Sequence, residues 1–143
     1  MQKEAMFPEL VVFKTSNFTI SQDCEIPIPG FFILFPNRKI DSVAEFNYEE
    51  EKEFISLLKK IRIGMKQVLN IDKVYLYQNE NSEHGFHFWI LPRHIWMEKF
   101  GTKLDSVRPI MNYARENMKT DEIIEEVYNF ANRMKNYMGL ISF

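Results

Sequence analysis

The chain has 143 residues, of which 45% are hydrophobic and 15% aromatic, and its formal net charge is -2. This length corresponds to one domain, and so high an apolar fraction is typical of a packed globular protein rather than a disordered one. A net charge of -2 gives no reason to expect nucleic-acid binding, which usually shows as a basic patch.

The cellular compartment is indicated by three negative features of the sequence. A single cysteine, Cys24, excludes an internal disulfide and fits a reducing compartment. The N-terminus has no apolar segment behind a basic start, so no signal peptide is expected. No apolar run approaches the roughly 20 residues that a membrane span needs. We therefore expect a soluble, cytoplasmic protein without a membrane partner.

The first third of the chain has the residue types of three strands. They are residues 10–14, 18–20 and 31–35, the last of which is fully apolar. A turn at Ser16-Asn17 separates the first two, and a loop with two prolines and a glycine fills residues 23–30.

A long helix is predicted to begin after Asn47. Asn47 is a good N-cap, and Glu50 is at the position of a capping-box partner. Apolar residues then recur at three- and four-residue spacing to Leu69. We expect the helix to end near Asn70 and to be weakened by Gly64.

The pattern after this helix is a strand, a polar loop, another strand and then helices. The strand at 74–78 is predicted to have Val74, Leu76 and Gln78 on one face. After the second strand, residues 95–100 predict one turn, and a helix follows at 105–117. A last helix is predicted between its cap Thr120 and Gly139, the C′ glycine that follows it. Strands that follow one another without crossover helices favour an antiparallel sheet, so the predicted class is α+β.

All three histidines of the protein lie between His84 and His94, around an apolar stretch at 86–91 that reads as a strand. Side chains alternate along a strand, so His87, Trp89 and Leu91 share one face and the even-numbered residues share the other. A histidine in such a stretch must be hydrogen-bonded, or must lie where a ligand can reach it.

Three interpretations of His87 follow from the residues alone. It is a core histidine bonded to a backbone carbonyl, or a metal ligand together with His84, His94 and Cys24, or a nucleophile. No C-x-x-C or H-x-x-x-H spacing supports the metal interpretation. A neutral imidazole is a competent nucleophile towards phosphorus if a hydrogen bond at its other nitrogen fixes the tautomer.

The stretch from Phe86 to Arg93 resembles the signature of the histidine-triad (HIT) superfamily, His-x-His-x-His followed by two apolar residues and often Pro-Arg. Residues 10–95 match the order and spacing of the family's elements, and residues 96–143 are a helical extension of one predicted domain, 1–143. The resemblance implies a HIT-like antiparallel sheet with one long helix, and a nucleotide ligand. It also implies a homodimer, unless the added helices cover the pairing surface.

In members of the family, the middle histidine attacks the α-phosphate of a nucleotide, and His87 matches that residue. Gly85 stands in place of the first histidine and Trp89 in place of the third, so the triad is degenerate. His84 can substitute for the first histidine if Gly85 bends the chain. Tryptophan is neither an acid nor a base at neutral pH, although Trp89 can still stack on a ligand or donate its indole N–H.

Four further positions are candidate nucleotide contacts by the resemblance. Asp23 matches a residue that binds the ribose hydroxyls, and otherwise reads as a turn residue. Gln78 and Asn79 fall near residues that reach the phosphate, and otherwise read as polar residues at a strand end. Ser82 is a weaker candidate in a loop that lacks the family's usual phosphate-binding segment.

The sequence thus predicts a nucleoside-phosphate hydrolase or nucleotidyltransferase, similar to diadenosine polyphosphate hydrolases. Its nucleotide or dinucleoside polyphosphate substrate would form a nucleotidyl-histidine at His87. A non-catalytic nucleotide-binding or interaction module is the alternative. No metal or other cofactor is expected.

Overall fold

The computed structural model describes residues 5–8, 10–80 and 83–140. Within these residues, five strands form one sheet: β1 (Val11–Lys14), β2 (Phe18–Gln22), β3 (Phe32–Pro36), β4 (Val74–Gln78) and β5 (Phe88–Pro92). The three α-helices are α1 (Tyr48–Val68), α2 (Val107–Asn117) and α3 (Asp121–Leu140). Short 3₁₀ segments span Val43–Glu45, Ile95–Phe100 and Leu104–Ser106.

The strand order is β1-β2-β3-β5-β4, and every neighbouring pair is antiparallel. The loop between β4 and β5 is long enough that the two strands pair without a tight turn. This arrangement confirms the predicted α+β class with an antiparallel sheet.

The start of α1 agrees with the predicted cap. The Asn47 side chain accepts a hydrogen bond from the Glu50 backbone N–H, and the Glu50 carboxylate accepts one from the Asn47 backbone N–H, both at 2.9 Å. Glu50 is buried, and its Oε1 also forms a salt bridge with Nη2 of Arg38 at 2.7 Å. Arg38 follows β3, so one carboxylate caps the helix and fixes the chain that leaves the central strand.

The sheet has a hydrophobic layer on each face, because consecutive residues of a strand point to opposite sides. Ile90 packs on the side of α1 and α3, whereas Leu91 packs on the side of α2. The helices after residue 95 therefore contribute to both layers. Among the described residues, no helix is long and apolar enough to cross a membrane.

Several element boundaries differ from the predictions, including those of β5, α2 and α3. Strand β5 begins at Phe88, two residues later than expected, because the chain bends at Gly85. The expected helix at 105–117 is regular only from Val107, after a 3₁₀ turn. The prediction that Gly139 follows the last helix is wrong, because α3 continues through it to Leu140.

Gly64 lies where α1 packs closely against Tyr137 and Met134 of α3. A Cβ atom at this position would lie 2.6 Å from the Tyr137 ring and 3.1 Å from Cε of Met134. The glycine that weakens α1 by propensity is therefore what lets α3 pack against it.

Gly64→Ala is expected to lower the free energy of unfolding by up to about 2 kcal/mol, because overpacking costs about 1–3 kcal/mol and the gain in helix propensity is only about 1 kcal/mol. In a Tyr137→Ala background the same substitution should instead stabilise the protein. Urea denaturation of the four proteins measures both effects. The control is Gly139→Ala, where an added Cβ meets nothing within 4 Å. An equal loss in both backgrounds would show that the contact with Tyr137 is not the cause.

Candidate functional site

The site is built around a bend at Gly85. Gly85 has φ of +82°, and a Cβ there would lie 2.8 Å from the backbone oxygen of Ile40. The neighbouring Phe86 N–H donates to the same oxygen at 2.7 Å. Only glycine fits this left-handed conformation so close to another backbone, and the bend sets the direction in which the chain enters β5.

His87 lies between this bend and β5, half-buried, with its Nδ1 3.3 Å from the Gly85 oxygen. Because a carbonyl can only accept, this hydrogen bond requires the proton on Nδ1, which leaves a lone pair on Nε2. The ring stacks on Phe35 at a centroid distance of 5.0 Å. Burial lowers the pKa of His87, and this outweighs the opposing effect of the hydrogen bond that His87 donates to the Gly85 oxygen. The imidazole is therefore neutral and oriented.

The strand register places a row of side chains beside His87 on the same face of the sheet. Trp89 on β5 is opposite Ile33 on β3 and Tyr77 on β4. The Tyr77 and Trp89 rings stack with centroids 5.4 Å apart and planes 12° apart, and Trp89 is 5.9 Å from His87. The face that the alternation predicted for His87 and Trp89 therefore carries a continuous aromatic surface.

A cavity of about 710 Å³ lies over this surface. Its apolar wall is formed by Ile26, Phe31, Ile33, Tyr77, Trp89 and Met111. Its charged and titratable lining is formed by Asp23, Cys24, Glu25, Lys39, Glu83, His84, His87 and Arg115.

Asp23 is a buried carboxylate in the wall of this cavity. Its Oδ2 accepts the backbone N–H groups of Glu25 and Ile26 at 3.1 and 2.8 Å, which closes the turn after β2. Burial raises the pKa of Asp23, opposed by these two hydrogen bonds and by one from the Trp89 side chain. Asp23 thus has the turn role that was its alternative interpretation, and it also borders the space that a ligand can enter.

A second cavity of about 250 Å³ shares Lys39, His84 and His87 with the first. The exposed ring of His84 is 6.1 Å from that of His87. The bend at Gly85 therefore brings His84 and His87 to one site. This is the condition under which His84 was expected to substitute for the first histidine of the motif.

Gln78 and Asn79 do not line either cavity. Gln78 follows Tyr77 on β4 and so faces away from the aromatic surface, and its Nε2 is buried with no hydrogen-bond partner among the described residues. Asn79 is exposed. Ser82 lies outside the described residues, so all three phosphate contacts stay predictions.

His94 is hydrogen-bonded to the backbone and packed against α3, away from the His84–His87 site. Its Nε2 is 2.7 Å from the Pro29 oxygen, and its ring packs on Phe130 of α3. Burial lowers the pKa of His94 despite this hydrogen bond. In the described part of the chain, no three histidine, cysteine or acidic side chains are grouped so that they could hold a metal ion. The structure therefore does not bring together the ligand set of the metal interpretation.

Several cavity residues were not among the candidates from the sequence. Met111 and Arg115 come from α2, which lies outside residues 10–95, the part of the sequence that matches the family's order and spacing of elements. No local pattern could have found them, because their position depends on how α2 docks on the sheet. Lys39 was detectable in principle, since it follows the central strand within Pro36-Asn37-Arg38-Lys39.

Comparison with known proteins gives structural but not sequence matches. No protein-family model and no curated protein matches the chain. A histidine triad nucleotide-binding protein from Sulfolobus tokodaii has a TM-score of 0.63 at 15% identity, over 90% of this chain and 85% of that one. The diadenosine triphosphate hydrolase of Plasmodium falciparum, solved with cyclomarin A, has a TM-score of 0.62 at 15% identity, over 96% and 83%.

A third solved structure is a HIT-like protein involved in cell-cycle regulation from Bartonella henselae. It has a TM-score of 0.59 at 18% identity and covers 90% of this chain and 88% of that one. The shared architecture extends over most of each chain in all three comparisons. The protein therefore has the fold of the histidine-triad superfamily.

Proposed function

We propose that the protein binds a nucleoside phosphate in the large cavity and transfers its nucleotidyl group through His87. The observation that carries this proposal is the hydrogen bond between His87 Nδ1 and the Gly85 oxygen, which leaves Nε2 as a free nucleophile. The low pKa of His87 keeps that nitrogen unprotonated at pH 7.

The chemistry takes two displacements at phosphorus. The Nε2 lone pair attacks the α-phosphorus, an Nε2–P bond forms, and the bond from phosphorus to the leaving oxygen breaks. Water or another acceptor hydroxyl then attacks the same phosphorus, the Nε2–P electron pair returns to the imidazole, and the acceptor proton passes to solvent. The products are a nucleoside monophosphate, or a nucleotidylated acceptor, and the leaving group.

The shape and polarity of the cavity support a nucleotide ligand. Its volume of about 710 Å³ is within the range of about 300–1,000 Å³ usual for small-molecule sites. Lys39, His84 and His87 form one polar end, and the Tyr77–Trp89 stack offers a flat apolar surface. The activity of the Plasmodium relative makes dinucleoside polyphosphates the first substrates to test.

A non-catalytic nucleotide-binding module is the second candidate. It is favoured by Trp89, which has no titratable proton to give to a leaving group. Both candidates predict that nucleotides raise the melting temperature by binding only the native state. Only the enzyme forms an adduct and turns over.

The assembly and location of the protein are also proposed. The exposed edge of β4, which carries the 45% exposed side chain of Leu76, supports a homodimer. The single cysteine supports a cytoplasmic location.

His87→Asn should abolish turnover and the nucleotidyl adduct while nucleotide binding persists, because asparagine keeps a polar side chain but has no nucleophilic ring nitrogen. Trp89→Phe should lower turnover without abolishing it, because the ring remains. The measurements are a panel of dinucleoside polyphosphates, nucleotide sugars and nucleoside phosphoramidates, with intact-mass detection of the adduct.

The matched control is His84→Asn, on the other side of Gly85. It should reduce the rate but leave the adduct detectable. Full turnover in His87→Asn would exclude covalent catalysis at this residue. An adduct that disappears only in His84→Asn would move the nucleophile to that histidine.

Adduct formation should remain fast below the pH at which an ordinary histidine becomes protonated. Burial lowers the pKa of His87 from its usual value near 6.5, so the neutral nucleophile persists to lower pH and the rate falls only as the pH drops through the shifted pKa. Single-turnover rates and the NMR titration of the His87 ring should agree. The charge of His84 also lowers this pKa, so His84→Asn should raise it. A titration of His87 above the usual value would contradict this.

If Asp23 binds the ribose, a nucleoside monophosphate should bind about tenfold or more tightly than its 2′,3′-dideoxy form, the usual loss for a hydrogen bond to a charged group. Comparing ligands is the sharper design, because Asp23→Asn would also disturb the turn that Oδ2 closes. Calorimetric titration gives the two affinities. Equal affinity would leave Asp23 with its turn role alone.

A further inference from the structure

Where α2 meets the loop after β2, an acidic and a basic side chain line the large cavity. Arg115 on α2 has Nη2 3.6 Å from the Glu25 carboxylate, and both side chains line the cavity. They are partly exposed, at 30% and 43%. The separation is longer than a direct hydrogen bond, so each group retains capacity for a ligand.

The Arg115 guanidinium is incompletely satisfied by the protein. Its Nη1 donates to the Asn112 side-chain oxygen at 3.2 Å. Its Nε is buried and has no hydrogen-bond partner among the described residues. A buried donor without an acceptor is costly, and an acceptor on a ligand would relieve that cost after a small rotation of the guanidinium.

The position of this pair relative to His87 follows from a chain of contacts. Trp89 is next to His87, and Tyr77 stacks on Trp89. The Tyr77 hydroxyl contacts Met111 Sδ on α2 at 3.6 Å. Tyr77, Asp23 and Arg115 line the same cavity.

A nucleotide with its phosphate at His87 and its ribose near Asp23 would therefore direct its base towards α2. The apolar wall, which includes Ile33 and Met111, can contact the faces of the base. The base edge then meets Glu25 and Arg115, the charged pair on that side of the cavity.

We propose that Glu25 and Arg115 select guanine at the base end of the cavity, an inference that rests on the proposed nucleotide site. Guanine presents O6 and N7 as adjacent acceptors, which match the arginine fork. The neighbouring N1–H and 2-amino group are adjacent donors, which match the two oxygens of one carboxylate. Guanine thus satisfies both side chains at once.

The other bases satisfy this pair less well. Adenine places its 6-amino donor where guanine has O6, so it would oppose the donors of Arg115. Cytosine and uracil lack the N7 acceptor. Hypoxanthine keeps O6 and N7 but lacks the 2-amino group, so it separates the contribution of Arg115 from that of Glu25.

The test measures binding of GMP, IMP, AMP, CMP, UMP and ribose 5-phosphate to four proteins by calorimetry. These are the wild type, Arg115→Met, Glu25→Gln and the control Arg108→Met. Arg108 is exposed on the same helix and does not line the cavity, so the control removes an equal charge. Thermal melts confirm that each variant is folded. If Arg115→Met does not fold, the result for Glu25→Gln decides the test.

The wild type and the control are expected to bind GMP about tenfold or more tightly than AMP, the discrimination typical of a bidentate contact. Arg115→Met should lose this preference, and Glu25→Gln should lose the preference of GMP over IMP. Ribose 5-phosphate should bind all four proteins equally.

The inference alone would be overturned if nucleotides bind the wild type without a preference for guanine, or if the preference survives both cavity substitutions. An equal loss in Arg108→Met would likewise refute it, because the effect would then be general electrostatics. If neither the nucleotides nor ribose 5-phosphate bind the wild type, the proposed function itself fails.

Discussion

The geometry of the site depends on the backbone contact between Gly85 and Ile40. A Cβ atom added at Gly85 would lie 2.8 Å from the Ile40 oxygen, and the φ of this residue is positive. No residue other than glycine therefore fits here without strain. The bend puts the Gly85 oxygen within reach of His87 Nδ1 and holds the imidazole against Phe35. The bend at Gly85 thus orients the imidazole of His87.

The residues around His87 limit which leaving groups the proposed reaction can use. Trp89 provides no titratable proton, and burial raises the pKa of Tyr77 so that it stays protonated near neutrality. The groups left near the phosphate are His84 and Lys39, both at the polar end. Leaving groups that depart as stable anions, such as the phosphates of a dinucleoside polyphosphate, depend least on a proton donor. If the proposed function holds, polyphosphates are therefore expected to be better substrates than phosphoramidates.

The sequence predicted what is decided locally. The α1 cap follows from the spacing of Asn47 and Glu50, and the common face of His87 and Trp89 follows from strand alternation. The same alternation already put Gln78 on the face opposite Tyr77, although resemblance to the family suggested a phosphate contact there. Helix capping and strand alternation thus predicted where α1 begins and which face of the sheet each of these side chains occupies. They did not predict which residues border the cavity.

What the sequence could not predict is the position of α2, because that depends on contacts far apart in the chain. The Tyr75 hydroxyl lies 2.7 Å from the Ser106 hydroxyl just before α2, and Arg93 donates to both Tyr75 and the Gly101 oxygen. These bonds fasten the extension to β4 and β5.

The extension also completes both hydrophobic layers. Ile110 and Ala114 of α2 fill one layer, while Ala131 and Met134 of α3 fill the other. Removing the extension would expose apolar surface on both faces of the sheet, which supports the prediction of a single domain. The helix that carries Arg115 to the cavity is thus part of the core. A substitution that weakens α2 packing would therefore affect stability and nucleotide selection together, whereas one at the Arg115 guanidinium would affect selection alone.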